Sequence, residues 1–118
     1  MYHFVKALKA LSEDTRLRVI NVLLERECCV CEVMQALEVS QTRASRNLSM
    51  LYDSGFLKLR KEGLWSLYSI NREEMPKYLV RLVESVEQVL LDDKVAVQDR
   101  KRLKIAKRTG VSCGQKSS

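Results

Sequence analysis

The chain of 118 residues has one proline and four glycines, so little interrupts its regular structure and helices should dominate. It has no apolar run approaching the ~18 residues that a membrane-spanning helix needs. Residues 1–11 alternate apolar and basic side chains without a continuous hydrophobic region, so no signal peptide is expected there. No Gly-rich phosphate loop and no Ser/His/Asp set is visible, so nothing points to an enzyme. Histidine occurs once, at His3. Cysteine occurs four times, and three of the four crowd into Cys28, Cys29 and Cys31, where neighbouring thiols are poor disulfide partners. Cys113 sits in a polar tail. Without a secretory signal, that usage points to a reducing cytoplasm, where such a cluster reads as a metal or redox site.

What is abundant is positive charge, and it is unevenly placed. The net charge is +6, yet residues 1–39 carry 5 basic and 6 acidic residues. Residues 40–72 carry 6 basic and 2 acidic residues, and residues 92–118 carry 8 basic and 3 acidic ones. Two basic blocks separated by an acidic one suggest a polyanion met at defined surfaces.

Phe4, Val5, Leu8 and Leu11 follow helical spacing. Ser12 suits an N-cap, with Glu13 and Asp14 in the first turn of a helix whose buried face is Leu17, Val19, Ile20, Leu23 and Leu24. Val33, Met34 and Leu37 mark a short helix over 30–37. After a tight connection at Glu38-Val39, Ser40 caps a helix over 41–53 with Ala44, Leu48 and Leu51 inward, and Gly55 ends it. This order reads as a helix-turn-helix. Residues 56–61 and 64–70 are strand-like and joined by Glu62-Gly63, a β-hairpin with Arg60 and Lys61 at its tip, the wing of a winged helix.

The last regular element starts within 71–76, where Pro76 is tolerable only in a first turn, and runs to about Leu91. Leu79, Leu82, Val83, Val86, Val89 and Leu90 give it a broad apolar stripe. That width, with Leu8 and Leu11 also uncovered, asks for a partner subunit. The fold class is therefore mainly α with one β-hairpin, a winged helix-turn-helix dimerising through its terminal helices. Its domain covers 1–93, and residues 94–118 form a basic, flexible tail.

Five segments, LSEDTRL at 11–17, ECCVCEV at 27–33, SQTRASRNL at 40–48, SGFL at 54–57 and RKEGLWSLY at 60–68, together resemble the ArsR/SmtB family of metal-responsive repressors. The resemblance spans residues 5–70 in the right order. It implies a homodimeric winged helix that binds operator double-stranded DNA and releases it when a metal or metalloid binds. The similarity is greatest to the arsenic- and antimony-responsive repressors, whose Cys-Val-Cys in an acidic frame is here Cys29-Val30-Cys31 followed by Glu32. As(III) is the implied effector, with Sb(III) beside it. Where those repressors commonly carry a third cysteine three residues on, this chain has Met34, and it adds Cys28. The family's other metal site uses His and Asp on the last helix; residues 71–103 hold no histidine, so a nitrogen-rich Zn²⁺ or Ni²⁺ site is set aside.

Soft thiolates select soft acceptors, and arsenite accepts three sulfurs. Cys28 and Cys31, at i and i+3, share a helix face. Cys29 and Cys31, at i and i+2, point about 200° apart on a regular helix, so pairing them needs an unwound or distorted helix start. Cys31 belongs to every ligand set, and Cys113 joins as a third donor only if the tail folds back. Four alternatives stand beside this reading: buried thiols without a ligand, a Cd²⁺ or Pb²⁺ site, a thiol-redox switch, and a C-x-x-C oxidoreductase. The last lacks the βαβ pattern of such enzymes.

With Ala44, Leu48 and Leu51 inward, Gln41, Thr42, Arg43, Arg46 and Asn47 should lie on the outer face of the second helix, where such side chains reach base edges. Ser40 and Thr42 suit phosphates, and Arg60 and Lys61 would touch the minor groove or the backbone from the wing.

Overall fold

Capping groups and left-handed residues, more than apolar spacing, decide where each element begins and ends. The computed structural model describes residues 1–109, which form α1 (Tyr2–Leu11), α2 (Asp14–Glu25), α3 (Val30–Leu37), α4 (Gln41–Asp53), β1 (Leu57–Glu62), β2 (Trp65–Ile70), α5 (Lys77–Leu90) and α6 (Lys94–Ile105). Glu13 caps α2, its carboxylate accepting from the Arg16 N–H at 3.1 Å. Ser12, expected in that role, closes α1 instead and donates its hydroxyl to the Lys9 carbonyl at 2.9 Å. Ser40 caps α4 as expected, accepting from the Arg43 N–H at 3.1 Å. Glu38, at φ +57°, makes the left-handed turn between α3 and α4. After α4 the chain reverses at Gly55 (φ +92°), and the Phe56 N–H returns to the Leu51 carbonyl at 3.1 Å. A Cβ at Gly55 would lie 3.3 Å from Leu79 Cδ1, so the turn and the close contact both favour glycine.

Val19, Ile20 and Val22 of α2 are fully buried and meet Val33 of α3, Leu48 and Leu51 of α4, Phe56, and Val83 of α5. Each such side chain contributes about 1.5–3 kcal/mol on leaving water. α5 turns Leu79, Val83, Val86 and Leu90 inward, but Val89 is 74% exposed. Pro76 is its N-cap rather than a first-turn residue. Phe4, Val5 and Leu8 of α1 and Tyr78 of α5 are exposed as well, and the Phe4 ring stands edge-on to Tyr78 at 5.6 Å. The apolar faces of α1 and α5 therefore adjoin.

β1 and β2 pair antiparallel from Leu57 opposite Ile70 to Glu62 opposite Trp65. The turn is Gly63-Leu64, with Gly63 at φ +61°, one residue later than expected. Arg60 and Lys61 thus lie within the strand and not at the tip.

A larger correction concerns the residues expected as a flexible tail. Residues 94–105 form α6, capped by Asp93, whose side chain accepts from the Ala96 N–H at 3.0 Å. Its buried face is only Ala96, Asp99 and Leu103, too little apolar surface for periodicity to reveal. Docking is polar instead. Asp99, fully buried, accepts from Arg18 at 2.7 and 2.9 Å and from Arg102 at 2.7 Å. Arg18 also donates to the Leu37 carbonyl at 2.9 Å, Arg102 to the Ala36 carbonyl at 2.8 Å, and Arg100 to Asn21 at 2.6 Å. α6 so clamps α2 to the end of α3, the first helix of the helix-turn-helix. Cys113 lies outside the described residues. No helix among the described residues is long and apolar enough to cross a membrane.

Asp99→Ala strands two guanidinium groups against buried backbone. Their side chains are 24% and 29% exposed and regain some water, so the loss should be about 2–3 kcal/mol, below the upper range for a broken buried pair. It is read as a lower urea midpoint with an unchanged slope. A midpoint equal to that of the parent protein would show that α6 does not clamp the fold.

Candidate functional site

Cys29 is the N-cap of α3, with extended backbone (φ −85°, ψ 171°), and the helix begins at Val30. Because Cys29 stands outside the helix, the angular separation of regular helix positions does not apply to it. Its Sγ lies 2.7 Å from the Sγ of Cys31. The two residues are 1% and 7% exposed and pack with Leu67 and Trp65 of β2. Cys28 goes elsewhere. Its N–H and carbonyl pair with those of Tyr68 at 3.0 and 2.8 Å, an extra rung on the hairpin, and its side chain turns into the main core. Burial pushes the Cys28 thiol up to about 12, so it stays protonated at neutral pH. The fold brings Cys29 and Cys31 together and leaves Cys28 apart.

Burial also raises the Cys29 thiol, while backbone N–H groups of Glu32 and Cys31 at the helix start pull the other way. Cys28 is a free thiol and Cys31 is disulfide-bonded, so a soft ligand would meet the Cys29–Cys31 pair in the reduced protein. Among the described residues no group of three His, Cys, Asp or Glu side chains is placed to hold a metal ion. The pair supplies two sulfur donors.

Glu32, only 4% exposed, organises the surroundings. Its Oε1 accepts from the Cys29 N–H at 2.9 Å, and the carboxylate pairs with Arg26 at 2.7 Å and Arg108 at 3.1 Å. Burial alone would raise its pKa, but the Cys29 N–H and the two guanidinium groups outweigh it and hold Glu32 below the usual carboxylate range. Sequence reasoning passed over this residue, although Cys29-x-x-Glu32 has capping-box spacing with a thiol in place of the usual hydroxyl. Beyond α6, Arg108 Nη1 also reaches Glu62 at 3.4 Å, and its guanidinium lies 5.9 Å from the centre of the Trp65 ring. Lys107 exchanges two hydrogen bonds with Gln35, at 2.7 and 3.1 Å, and its carbonyl lies 3.9 Å from Cys31 Sγ. Residues 106–109 form a strap beside the cysteine pair, for which sequence periodicity offers no signal.

On α4, Thr42, Arg43 and Arg46 are exposed and Gln41 half-buried, beyond the Ser40 cap. Arg46 has no hydrogen-bond or ion-pair partner among the described residues, whereas Arg43 donates to Thr15 Oγ1 at 2.8 Å. Asn47 is not on the outer face. It is 6% exposed, accepts from Arg16 at 3.1 Å and donates to the Arg43 carbonyl at 2.8 Å. The signal was present: Ala44, Asn47, Leu48 and Leu51 fall at i, i+3, i+4 and i+7, so Asn47 belongs to the inward stripe. Ser49, not singled out from sequence, is exposed on the same helix. Arg60 is engaged by Glu27 at 3.0 and 2.5 Å and lies near Glu62, while Lys61 is exposed and donates to Ser66 at 2.8 Å. The hydrogen bond from Arg60 holds the Glu27 carboxylate below its usual range, against a smaller opposing effect of burial.

Known proteins share much of this sequence and this fold. Residues 13–59 match the family of bacterial regulatory proteins described as the arsR family. A cadmium resistance transcriptional regulatory protein CadC homolog of Staphylococcus aureus is 45% identical over 71 residues, 59% of each chain. The arsenic resistance transcriptional regulator ArsR1 of Pseudomonas putida is 38% identical, over 66% of this chain and 61% of its own. The chain thus spans about three fifths of the length of these two relatives. The arsenical resistance operon repressor of Escherichia coli is 35% identical over 68% of both chains. Among solved structures, HlyU from Vibrio cholerae superposes with a TM-score of 0.64 at 27% identity, over 75% of this chain and 91% of that one. The homodimeric winged helix-turn-helix domain of Mb0332 from Mycobacterium bovis gives 0.63 at 29% identity, over 78% and 81%. Winged helix, exposed second helix of the helix-turn-helix and sequence agree, and the chain belongs to the arsR family of bacterial regulatory proteins, DNA-binding transcription regulators.

Proposed function

We propose that the chain is a cytoplasmic, homodimeric repressor that releases operator DNA when a trivalent metalloid, As(III) or else Sb(III), bridges Cys29 and Cys31. The observation that carries this reading is the 2.7 Å approach of two buried sulfurs across the N-cap of α3, the helix that leads into the reading helix. Two soft sulfur donors suit a thiophilic metalloid. The arsenical-resistance names of several relatives support the same effector. The adjoining apolar faces of α1 and α5 supply the surface for a second copy.

In this reading Gln41, Thr42, Arg43 and Arg46 meet the major groove, Ser40 and Lys61 the backbone, and a two-fold dimer reads half-sites about one helical turn apart. Effector and operator oppose each other with a coupling of about 1–3 kcal/mol, or about 5–150-fold in affinity. A second reading, release on thiol oxidation, is favoured by the disulfide at Cys31. A Cd²⁺ response is favoured by the name of the Staphylococcus aureus relative.

Fluorescence anisotropy of an operator selected from random duplexes separates these effectors, with arsenite, Cd²⁺ and peroxide titrated in parallel. Reduced protein should release DNA with arsenite and stay bound with peroxide; the reverse order overturns the arsenical reading. Cys31→Ser should bind the operator normally and no longer release it, whereas Cys28→Ala should still release it. Normal release by Cys31→Ser would mean the site is elsewhere. Arg46→Ala should weaken operator binding by about 1–3 kcal/mol if it contacts a base, or flatten the salt dependence by about one charge if it contacts a phosphate. An unchanged affinity and slope would remove Arg46 from the interface.

A further inference from the structure

Two sulfurs bonded to one soft metal atom at ~2.3 Å and a near-tetrahedral angle stand ~3.7 Å apart. Here Cys29 Sγ lies 2.7 Å from Cys31 Sγ while Cys31 is disulfide-bonded, so reduction and binding of a bridging atom together reset that spacing. Room for that movement is limited by Leu67 and Trp65 and by the strap, whose Lys107 carbonyl is held beside Cys31 through Gln35. The N-cap and the strap must therefore shift when the pair is occupied.

Arg108 sits where such a shift would be felt. It pairs with Glu32, whose carboxylate holds the Cys29 N–H, and with Glu62, the last residue of β1 at the wing. Its guanidinium also lies over Trp65, the first residue of β2. Strand alternation and register put Glu62, Arg60, Trp65 and Leu67 on one face of the hairpin, the face that packs on Cys29 and Cys31. A second tie runs beside it, from Arg60 of β1 to Glu27, two residues before Cys29.

We infer that Arg108 is a positioning residue that couples occupancy of the Cys29–Cys31 pair to the wing. This rests on the reading of that pair as the effector site. Spreading the sulfurs moves the Cys29 cap and the Glu32 carboxylate with it. Arg108 then gives up Glu32, Glu62 and the Trp65 ring together, and the wing is no longer held against the start of α3. In this proposal the contacts of Arg108 belong to the DNA-binding form, so breaking them lowers operator affinity.

Two affinities per protein test this in the full-length reduced chain. Operator binding is read by anisotropy with and without saturating arsenite. Arsenite binding without DNA is read from the emission of Trp65, the only tryptophan of the chain. The parent protein should lose about 5–150-fold in operator affinity when saturated. Arg108→Gln should still titrate with arsenite through Trp65, yet its operator affinity should fall by less than about a third of the parent's factor. Glu62→Ala removes the far end of the link, leaves Glu32 paired and lies at an exposed position, so it decides the matter should Arg108→Gln melt early. It should weaken release in the same way. Full parental release by either folded variant overturns the coupling role. A parent protein that keeps its DNA under arsenite is a different failure, that of the effector reading, and the role of Arg108 falls with it.

Discussion

Burying the Glu32 carboxylate at 4% exposure is the constraint around which this end of the molecule is arranged. An ionised carboxylate costs several kcal/mol to bury unless donors replace its water. Glu32 collects them from the Cys29 N–H three residues before it, from Arg26 at the end of α2, and from the distant Arg108 beyond α6. Arg26 donates in addition to the Leu103 carbonyl of α6 at 3.1 Å. One side chain thus joins the start of α3, the end of α2 and the strap. Its folded pKa is lowered, so its contribution is complete above the unfolded carboxylate range near ~4.3 and is lost as pH falls through the folded value.

α3 is held by ions at both ends. At its N-terminus Glu32 fixes the Cys29 cap. At its C-terminus the Ala36 and Leu37 carbonyls, left unpaired by the helix geometry, accept from Arg102 and Arg18, which Asp99 aligns. With both ends tied, α3 has little freedom to absorb a change at the cysteines by fraying. On the proposed reading, a change at the cysteines would pass along the helix toward Glu38 and α4, and through Trp65 and Leu67 into the hairpin. A small domain that must report occupancy of a site to a surface it does not touch needs that kind of stiffness.

Much of this was legible in the sequence because apolar spacing and punctuation spoke together. Ser40, the inward trio of α4 and Gly55 fixed the reading helix, and the change of period after Gly55 marked the hairpin. Pairing Cys29 with Cys31 called for an unwound helix start, and the extended N-cap backbone of Cys29 provides it. Asn47 was misplaced because its polarity was weighed and its i+3 position from Ala44 was not. α6 and the strap were illegible for a different reason. Their docking rests on Asp99, Arg100, Arg102, Lys107 and Arg108, whose partners lie dozens of residues away, so no local pattern records them.

Thermodynamic linkage is the central claim, and reciprocity tests it without any substitution. If effector and operator oppose each other through one molecule, the factor by which arsenite weakens operator binding must equal the factor by which operator weakens arsenite binding. Arsenite affinity followed through Trp65 emission, for the free protein and for the protein saturated with operator, measures the second factor. The account predicts weaker arsenite binding on DNA by the factor seen in release. Equal arsenite affinity with and without operator would contradict it, whatever arsenite does to the cysteines.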